Sequence, residues 1–498
     1  MTSDDFHSEL TLPSHPDAMA FARAYTRELA TLAGLPPAEL EAFVDAVTSA
    51  CVDIVQHALT PGETDALRLI GSVTPAALTV AIRERGAPFD PTNTEATAES
   101  IPPPVRGRDW ERVRQAVDEA HWSSLGKDGM ELTLTRQRPH ADVTQHLAAP
   151  ELAPFREDEP LAPPQTYSIR RLRPEDALAV SQCVYRSYGY SYGNADLYYP
   201  DRIVHLNETG QLVSVVAVDE AGAVIGHLAL ERPDLGPIAE SGQAVVAPAH
   251  RGRHLLERLR TFAEEQAQHL GLAGLVGYPV TTHVFSQRME ESIGAQLCGV
   301  ALGQMPRSTT FKAIATEPLP QRVSTMLYFK YMAPPRPTRI HAPARHRGVL
   351  ERLYARLTTP VEFGAPVDPR GPGRVTASLD RSWGYGEIHV QVAGADTAAE
   401  IRRARRDLCE TGGVEVVYLF LPLAQPGTPA LCEAAEADAF FWSGVGPCYA
   451  TDGDMLCLQY LATDLDLALV QVAGEAGRDL LAYVAAERAR AGPRRTGR

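Results

Sequence analysis

A short turn that carries two arginines joins a strand-like segment to a helix-like segment near the middle of the chain. The strand-like residues 243–248 lead into His250-Arg-Gly-Arg-His-Leu-Leu256, and apolar side chains then recur on one helical face to about residue 270. The first N–H groups of a helix lack partners and lie at the positive end of its dipole. The turn therefore predicts a site for a pyrophosphate, with Arg251 and Arg253 as charged donors. A plain connection capped by water is the alternative.

The segments around this turn alternate between strand and helix patterns. Residues 167–172 alternate like a strand, and Pro174 with the acidic residues after it suits the first turn of a helix. Residues 213–230 form a predicted hairpin with its turn at 220–222. The whole chain is accordingly expected to be α/β or α+β.

Length and composition limit the classes of protein that fit. The 498 residues predict roughly three domains, and 44% hydrophobic with 22% charged residues is typical of globular chains. A net charge of −15 argues against a nucleic-acid surface. The acidic N-terminus is unlike a signal peptide, and no apolar run approaches the ~20 residues of a membrane span. Seven cysteines without a C-x-x-C pair favour reduced thiols in the cytoplasm.

Residues 166–332 resemble the GNAT superfamily of acyl-CoA N-acyltransferases. The resemblance rests on the order strand, helix, hairpin, strand, V-x-P-x-x-R-G-x, helix, strand, helix and strand pair. It implies that acetyl-CoA, or another acyl-CoA, binds with its pyrophosphate in the turn and its pantetheine arm along the preceding strand, which splays to admit it. The cofactor-binding residues that it implies are Val245, Val246, Arg251, Gly252, Arg253, His254, Leu255 and Leu256.

The sequence departs from the family pattern at several of these positions. The motif R-x-x-G-x-G/A is matched at Arg251, but His254 and Leu256 occupy its two later glycine positions. Glycine serves where a ligand approaches the backbone closely, whereas backbone donation itself survives a side chain. If CoA binds here, the backbone N–H groups of the turn must therefore hold it without the help of the two glycines.

The resemblance also implies direct transfer, in which an amine attacks the thioester within a ternary complex. Glu240 is then the candidate base, and a backbone N–H near Val246 is the candidate oxyanion donor. The family's tyrosine acid corresponds here to Glu290, so His283 is the substitute proton donor. The alternatives are a solvated glutamate at a strand start and a histidine that caps a strand end.

A tyrosine-rich loop follows the first helix of this segment, where the resemblance places the acceptor pocket. Rings with polar tips suit a small amine or a peptide amine. A packed aromatic corner is the alternative. The predicted acceptor-binding residues are Tyr188, Tyr190 and Tyr192.

Residues 1–137 resemble the ATP-binding module of anti-sigma-factor serine kinases, a sandwich of the GHKL fold. The resemblance rests on the helix at 39–59 with its His-Ala-Leu ending and on the G-x-P-F-D-P run that starts at Gly86. It implies nucleotide contacts at Asp53, Glu84 and Gly86. Ser49 replaces the catalytic acid, so phosphoryl transfer is not expected, ATP binding is doubtful, and a docking surface for a regulatory protein is the alternative.

A proline-rich linker is predicted at 138–165, and residues 333–498 are predicted to be a diverged second copy of the GNAT-like domain. The copy is inferred from MLYFKYM at 326–332 and MLCLQYL at 455–461, together with a matching upstream pair around Gly299 and Gly444. Chance similarity between apolar strands is the alternative. This part is expected to pack on the middle domain, to wall the acceptor pocket and to end in a helix near 474–490.

Two functions are consistent with these patterns. The first is acyl-CoA-dependent N-acyl transfer to a small amine or a peptide amine, without nucleic acid, membrane or metal. The second is a catalytically inactive regulator that uses the GHKL-like and GNAT-like folds to bind a ligand or a partner. Fold alone does not decide between them.

Overall fold

The fold is that of a computed structural model, which describes most of the chain. The described residues are 6–57, 66–74, 77–85, 110–125, 129–138, 141–156, 160–190, 192–233, 235–307, 319–380 and 383–492. Gly86, the remainder of the run that it begins and the arginine-rich end of the chain lie outside these ranges.

The first unit is a five-stranded sheet covered by helices. It contains β1 (Phe6–Pro13), α1 (Met19–Leu32), α2 (Pro37–His57), β2 (Ala66–Val73), β3 (Ala77–Glu84), α3 (Trp110–Ala116), β4 (Glu119–Ser124) and β5 (Met130–Gln137). Every second residue of β2 is buried, and these side chains join those of the helices in one apolar core. The strand predicted from MELTLTRQ is confirmed as β5.

Two further segments follow, which we call the linker (residues 138–165) and the first copy. The linker contains the one-turn helix α4 (Val143–His146). The first copy (residues 166–332) contains β6 (Ser168–Arg171), α5 (Ala177–Tyr188), α6 (Pro200–Thr209), β7 (Leu212–Val218), β8 (Val224–Glu231), β9 (Ile238–Val246), α7 (Leu255–His269), β10 (Gly274–Gly277), α8 (Phe285–Ser292), β11 (Gln296–Met305) and β12 (Val323–Tyr331). The strand before the turn thus begins five residues earlier than the sequence predicts, and it includes Glu240.

The second copy (residues 333–492) repeats the later part of the first. It contains β13 (Thr338–Ile340), α9 (Arg347–Arg356), β14 (Val361–Phe363), β15 (Arg374–Asp380), β16 (Tyr385–Val392), α10 (Thr397–Arg406), β17 (Val416–Pro422), α11 (Thr428–Ala437), β18 (Phe441–Ala450), β19 (Gly453–Leu461) and α12 (Gly474–Ala491). A π-helical turn, Asp407–Thr411, extends α10. The helix predicted near 474–490 is α12.

The strands of all three units form one continuous sheet. Their spatial order is β1-β2-β3-β5-β4-β15-β16-β17-β19-β18-β11-β12-β10-β9-β8-β7-β6. Only β9–β10 and β16–β17 pair in parallel within this sheet as described, and β13 with β14 forms a separate parallel pair. The α/β class is confirmed, and β9-β10-β12-β11 has the same order as β16-β17-β19-β18, which is the arrangement that the internal repeat predicts.

The two copies meet at equivalent glycines. Gly299 of β11 pairs with Gly444 of β18, and these are the positions that the repeat aligns. A Cβ on Gly444 would lie 2.5 Å from the Cα of Gly299, so the backbones touch where a side chain would separate them. Gln459 of β19 bridges the junction, because its Oε1 accepts the N–H of Leu302. The apolar core is accordingly continuous across both copies.

The first unit supplies the strand that the second copy lacks. In the first copy, β7 lies outside the β8–β9 hairpin, but no described strand of the second copy takes that place beside β15. The vacant edge is paired by β4, from Ser124 opposite Val375 to Glu119 opposite Asp380. An unpaired edge strand leaves backbone groups without partners, so this pairing ties the first unit to the second copy. Among the described residues, no helix has the length and apolar character needed to cross a bilayer.

We expect Gly444→Ala to lower the free energy of unfolding by about 1–3 kcal/mol, because the added methyl group forces the two copies apart. The matched control is Gly236→Ala, since a Cβ at Gly236 meets no atom within 4 Å. Urea unfolding followed by circular dichroism measures both variants. Equal midpoints for the two variants would contradict the close contact between the copies.

Candidate functional site

The pairing between β9 and β10 stops in the middle of β9. It covers three residue pairs and ends with Glu240 opposite Val276. β9 continues to Val246, so within the described sheet its last six residues have no partner on the β10 side. We call the gap between the unpaired end of β9 and β10 the cleft. The N–H of Ala247 donates to the carbonyl of Ile225 in β8. Because successive N–H groups of a strand point to opposite sides, the N–H of Val246 points toward the cleft. This is the splay that the sequence resemblance implies.

A bulge in β9 shapes the wall of the cleft. Val245 pairs with His227 and Gly242 with Ala229, so two residues oppose one, and Gln243 takes a left-handed φ of 56°. The buried His227 holds the bulge in place. Its Nδ1–H donates to the carbonyl of Gln243 at 3.0 Å, and its Nε2 accepts from the Ser214 hydroxyl at 3.0 Å. Burial lowers the pKa of His227 to about 4, which keeps the ring neutral.

The turn between β9 and α7 presents a set of free amides. Among the described residues, no acceptor is paired with the N–H groups from Gly252 to Glu257, and the first helical bond runs from Arg258 to His254. His254, at the first departure from the glycine motif, has φ 56° and ψ 24°, which is the backbone shape that glycine adopts most easily. Its ring lies outside, bonded to Glu257 at 3.0 Å. The turn thus keeps the backbone form of the motif without its glycine.

The linker contacts this turn. The N–H of Ala162 donates to the carbonyl of Ala249, and the carbonyl of Ala162 accepts from the Arg253 guanidinium, both at 2.7 Å. The structure therefore gives Arg253 a structural partner, which the sequence did not anticipate. Arg251 is exposed at the end of the turn.

Glu240 lies at the point where the cleft opens. Ala239 packs toward α7, so Glu240 points to the opposite face, and it is directly opposed by Glu231 of β8. Burial, then the carboxyls of Glu231 and Glu290, raise the pKa of Glu240 to about 8. A carboxyl with a pKa near 8 is suited to accept a proton at moderately alkaline pH.

Tyrosines line the same face. Burial, with Glu231 and Glu240 adding to it, raises the pKa of Tyr192 well above its usual value, and the ring centroid of Tyr188 lies 4.9 Å from that of Tyr192. Tyr278 follows the last residue of β10, and its hydroxyl lies 2.5 Å from that of Tyr449 in the second copy. Tyr190 faces the linker instead of Glu240. Its surface is 57% exposed, and its hydroxyl donates to Asp142.

The second copy also contacts the tyrosine-rich loop. A Cβ on Gly193 would lie 2.5 Å from the ring of Trp383. Tyr385 packs edge-to-face on Tyr418 with their centroids 5.5 Å apart. The second copy thus contacts the tyrosine-rich loop, and its role as a wall of the acceptor pocket stays a prediction.

The two residues that the sequence relates to the proton donor, Glu290 and His283, lie in α8 and in the loop before it. Glu290 of α8 pairs with Arg260 of α7 at 3.0 Å, and a Cβ on Gly277 would meet the Glu290 carboxyl at 3.0 Å, on the α7 side of the sheet. His283 lies in the loop before α8, where burial lowers its pKa, and its buried Nδ1 has no hydrogen-bond partner within the described residues. The structure gives no contact that joins His283 to Glu240.

The corresponding corner of the second copy is closed. Gly394, which precedes α10, donates to the Thr397 hydroxyl, and a Cβ there would lie 2.1 Å from the backbone N of Gly373. The N–H groups of Ala393 and Ala395 bond to Gln425 and Gly371. Four N–H groups at this corner, those of Ala393, Gly394, Ala395 and Thr397, are therefore bonded within the second copy.

The proposed nucleotide residues of the first unit are only partly described. Asp53 lies on α2, and Glu84 ends β3 with 4% of its surface exposed. Gly86 is outside the described residues, so nucleotide binding stays a prediction.

Sequence reasoning missed Glu231, Gln243, His227 and Tyr278 as members of the site. Glu231 could have been found from the hairpin register, which sets it opposite Glu240. The bulge residue and its buried histidine carried no local signal, because both depend on pairing across strands.

Residues 12–136 match the family model of the histidine kinase-like ATPase domain, which agrees with the resemblance seen in the sequence. The match covers about a quarter of the chain. No curated protein matches the chain in sequence.

The structure is also similar to solved GNAT-type acetyltransferases. An N-acetyltransferase from Staphylococcus aureus Mu50 is 15% identical with a TM-score of 0.28, over 34% of this chain and 99% of that one. An acetyltransferase from Salmonella typhimurium, solved with acetyl-CoA, is 18% identical with a TM-score of 0.27, over 34% and 95%. A phosphinothricin acetyltransferase from Sinorhizobium meliloti, solved with acetyl-CoA, is 17% identical with a TM-score of 0.27, over 33% and 88%. Values this low say nothing about the chemistry of the site.

The raised pKa of Glu240 has a consequence for stability. The pKa of a glutamate in an unfolded chain is about 4.3. The folded protein therefore binds the Glu240 proton more tightly than the unfolded chain does, and its free energy of unfolding falls as the pH rises from that value to about 8. We expect Glu240→Gln to raise the melting temperature at pH 8.5 and to change it little at pH 4.5. Glu265→Gln, at an exposed position on α7, is the control in the same thermal scans. An equal shift at both pH values would contradict the assignment.

Proposed function

We propose that the first copy is an acyl-CoA-dependent N-acyltransferase, with acetyl-CoA as its simplest donor. The observation that carries the proposal is the splay of β9 from β10, which leads from free amides at the N-terminus of α7 to the half-buried Glu240. A second observation supports it, since the corresponding corner of the second copy is filled by its own backbone.

The residues of the turn fit the diphosphate of the donor. The free amides of Leu255 and Leu256 lie at the positive end of α7, and those of Gly252 to His254 lie in the turn before it. A Cβ on Gly252 would meet no atom within 4 Å. Arg251 adds positive charge at the same corner. Val246 would hold the pantetheine arm through its backbone along the cleft, and its N–H would stabilise negative charge on the thioester oxygen. The backbone of Val245 faces β8, where it is paired with His227.

The residues of the cleft fit the transfer step. The amine nitrogen bonds to the thioester carbon, the C–S bond breaks, and the nitrogen loses one proton. Glu240 would accept that proton, because its carboxylate is available at pH values near and above 8. Tyr278 follows β10 on the face of the sheet that carries Glu240, and its hydroxyl would return a proton to the leaving sulfur.

The first test is calorimetric binding of acetyl-CoA to the full chain. We expect one site per chain, because the corresponding corner of the second copy is filled by its own backbone and the N–H groups of Ala393, Gly394, Ala395 and Thr397 are bonded there. Arg251→Ala should weaken binding by about 10-fold, in line with the loss of one charge-assisted hydrogen bond.

The matched control is Arg478→Ala. This arginine is exposed on α12 and is distant in sequence from the turn. Its dissociation constant should equal that of the wild type. Two sites per chain, or no binding at all, would contradict the proposal.

The second test is the pH dependence of acyl transfer. With an acceptor amine whose own pKa is below about 7, kcat/KM should rise with pH and level off above about 8, as Glu240 loses its proton. Glu240→Gln should lower kcat by about 100-fold or more and remove this rise. A wild-type profile that is flat between pH 6 and about 9 would exclude Glu240 as the base.

A second candidate function is regulatory binding without catalysis. The match of the first unit to the ATPase domain favours it, as does the pairing of β4 with β15, which couples that unit to the second copy. ATP binding in the calorimeter, together with CoA binding but no acyl transfer to any amine, would support this candidate over the enzyme.

A further inference from the structure

Two carboxylates face each other on neighbouring strands at the mouth of the cleft. Glu231 of β8 pairs directly with Glu240 of β9. A Cβ on Gly242 would lie 3.5 Å from Glu231 Oε1 and 3.6 Å from Glu240 Oε1, so both carboxyls flank a backbone position that has no side chain. Like charges directly opposed across a sheet destabilise it, unless a counter-charge lies between them.

The chain supplies little to offset this repulsion. Asn194 donates to Glu231 Oε2 at 2.9 Å. Within the described part of the chain, neither carboxylate forms an ion pair with a lysine, arginine or histidine. Burial raises the pKa of both Glu231 and Glu240. Within the described residues, Glu231 and Glu240 therefore lack a cationic side chain that would neutralise them.

A third polar group beside the carboxylates also lacks a partner. Gln243 is 95% buried, since only 5% of its surface is exposed, and within the described residues neither its Oε1 nor its Nε2 forms a hydrogen bond. The Gln243 amide lies beside the Glu231 carboxyl and helps to lower its pKa, although no bond between the two groups has hydrogen-bond geometry. An unpaired buried amide is costly, so a ligand that bonds to it would gain binding energy.

Aromatic side chains lie near the same carboxyls. Tyr192 lies close to both carboxyls, and Tyr278 is on the same face at the end of β10. Tyr449 and Trp383 of the second copy hold Tyr278 and the loop at Gly193 in place. Ring faces next to carboxylates are a favourable environment for an ammonium group. We call the space beside Glu231, Glu240, Gln243, Tyr192 and Tyr278 the acceptor chamber.

We propose that the acceptor chamber takes an aliphatic amine that carries two cationic nitrogens, such as a diamine or a polyamine. This inference rests on the proposed function. One nitrogen would bind beside Glu240 and be acylated. As its bond to the thioester carbon forms and the C–S bond breaks, it would lose two protons, one to Glu240 and one to the leaving sulfur. The other nitrogen would keep its charge beside Glu231 and Gln243. Side chains directly opposed across strands have Cβ atoms about 5 Å apart, so a spacing of three or four carbons between the nitrogens fits.

The experiment compares matched amines with the full chain. Acetyl-CoA-dependent thiol release is measured with 1,4-diaminobutane, 1,3-diaminopropane, butylamine and propylamine. We expect kcat/KM to be about 100-fold higher for each diamine than for the monoamine of equal length, mostly through KM, since a hydrogen-bonded charge pair has an effect of this order. Glu231→Gln should reduce this preference to below about 5-fold, Glu231→Asp should keep part of it, and Glu265→Gln should leave it as in the wild type.

A binding measurement separates the two proposals. Calorimetry with 1,4-diaminobutane alone should detect binding to the wild type and a loss of at least about 10-fold in Glu231→Gln. Acyl transfer with equal kcat/KM for diamines and monoamines, or with the preference intact in Glu231→Gln, overturns the acceptor class and leaves the transferase standing. Diamine binding without any acyl transfer or CoA binding overturns the transferase instead.

Discussion

The end of the β9–β10 pairing at Glu240 and Val276 is the constraint on which the site depends. If the two strands stayed paired, the Val246 amide would be consumed by the ladder and Glu240 would have no cleft to face. The bulge at Gln243 redirects β9 away from β10, and the neutral His227 holds that bulge through its carbonyl. A buried histidine therefore helps to define the geometry of the cleft.

The two copies illustrate how one fold keeps a site in one place and loses it in another. Both have a parallel strand pair followed by a helix and a closing hairpin. In the first copy the turn before the helix leaves its amides free, whereas in the second the backbone of Gly373 and the side chain of Thr397 occupy the same corner. The second copy instead contacts the tyrosine-rich loop and Tyr278 of the first copy, through Trp383 and Tyr449.

The first unit is joined to this arrangement by covalent and non-covalent links. β4 completes the edge of β15, and the linker runs back to the turn before α7, where Ala162 bonds to Ala249 and to Arg253. The first unit and the turn before α7 are thus connected through a segment that the sequence suggests is only a spacer.

The sequence by itself determined the local features. Apolar periodicity gave α7 and α12, alternation gave β5 and the hairpin of β7 and β8, and the repeated strand pairs gave the second copy with its aligned glycines. The Arg251 turn was recognisable because helix N-termini have free amides whatever the surrounding fold.

Only the tertiary structure decided which residues share the site. Glu231 meets Glu240 through strand register, Tyr278 meets Tyr449 across two copies 171 residues apart, and Tyr190 turns outward to bond with the linker. None of these contacts follows from the periodicity of a single segment, because each depends on the order in which distant strands pair. Local patterns specify which face of an element is buried, but the partner on that face is fixed only by the packing of the whole chain.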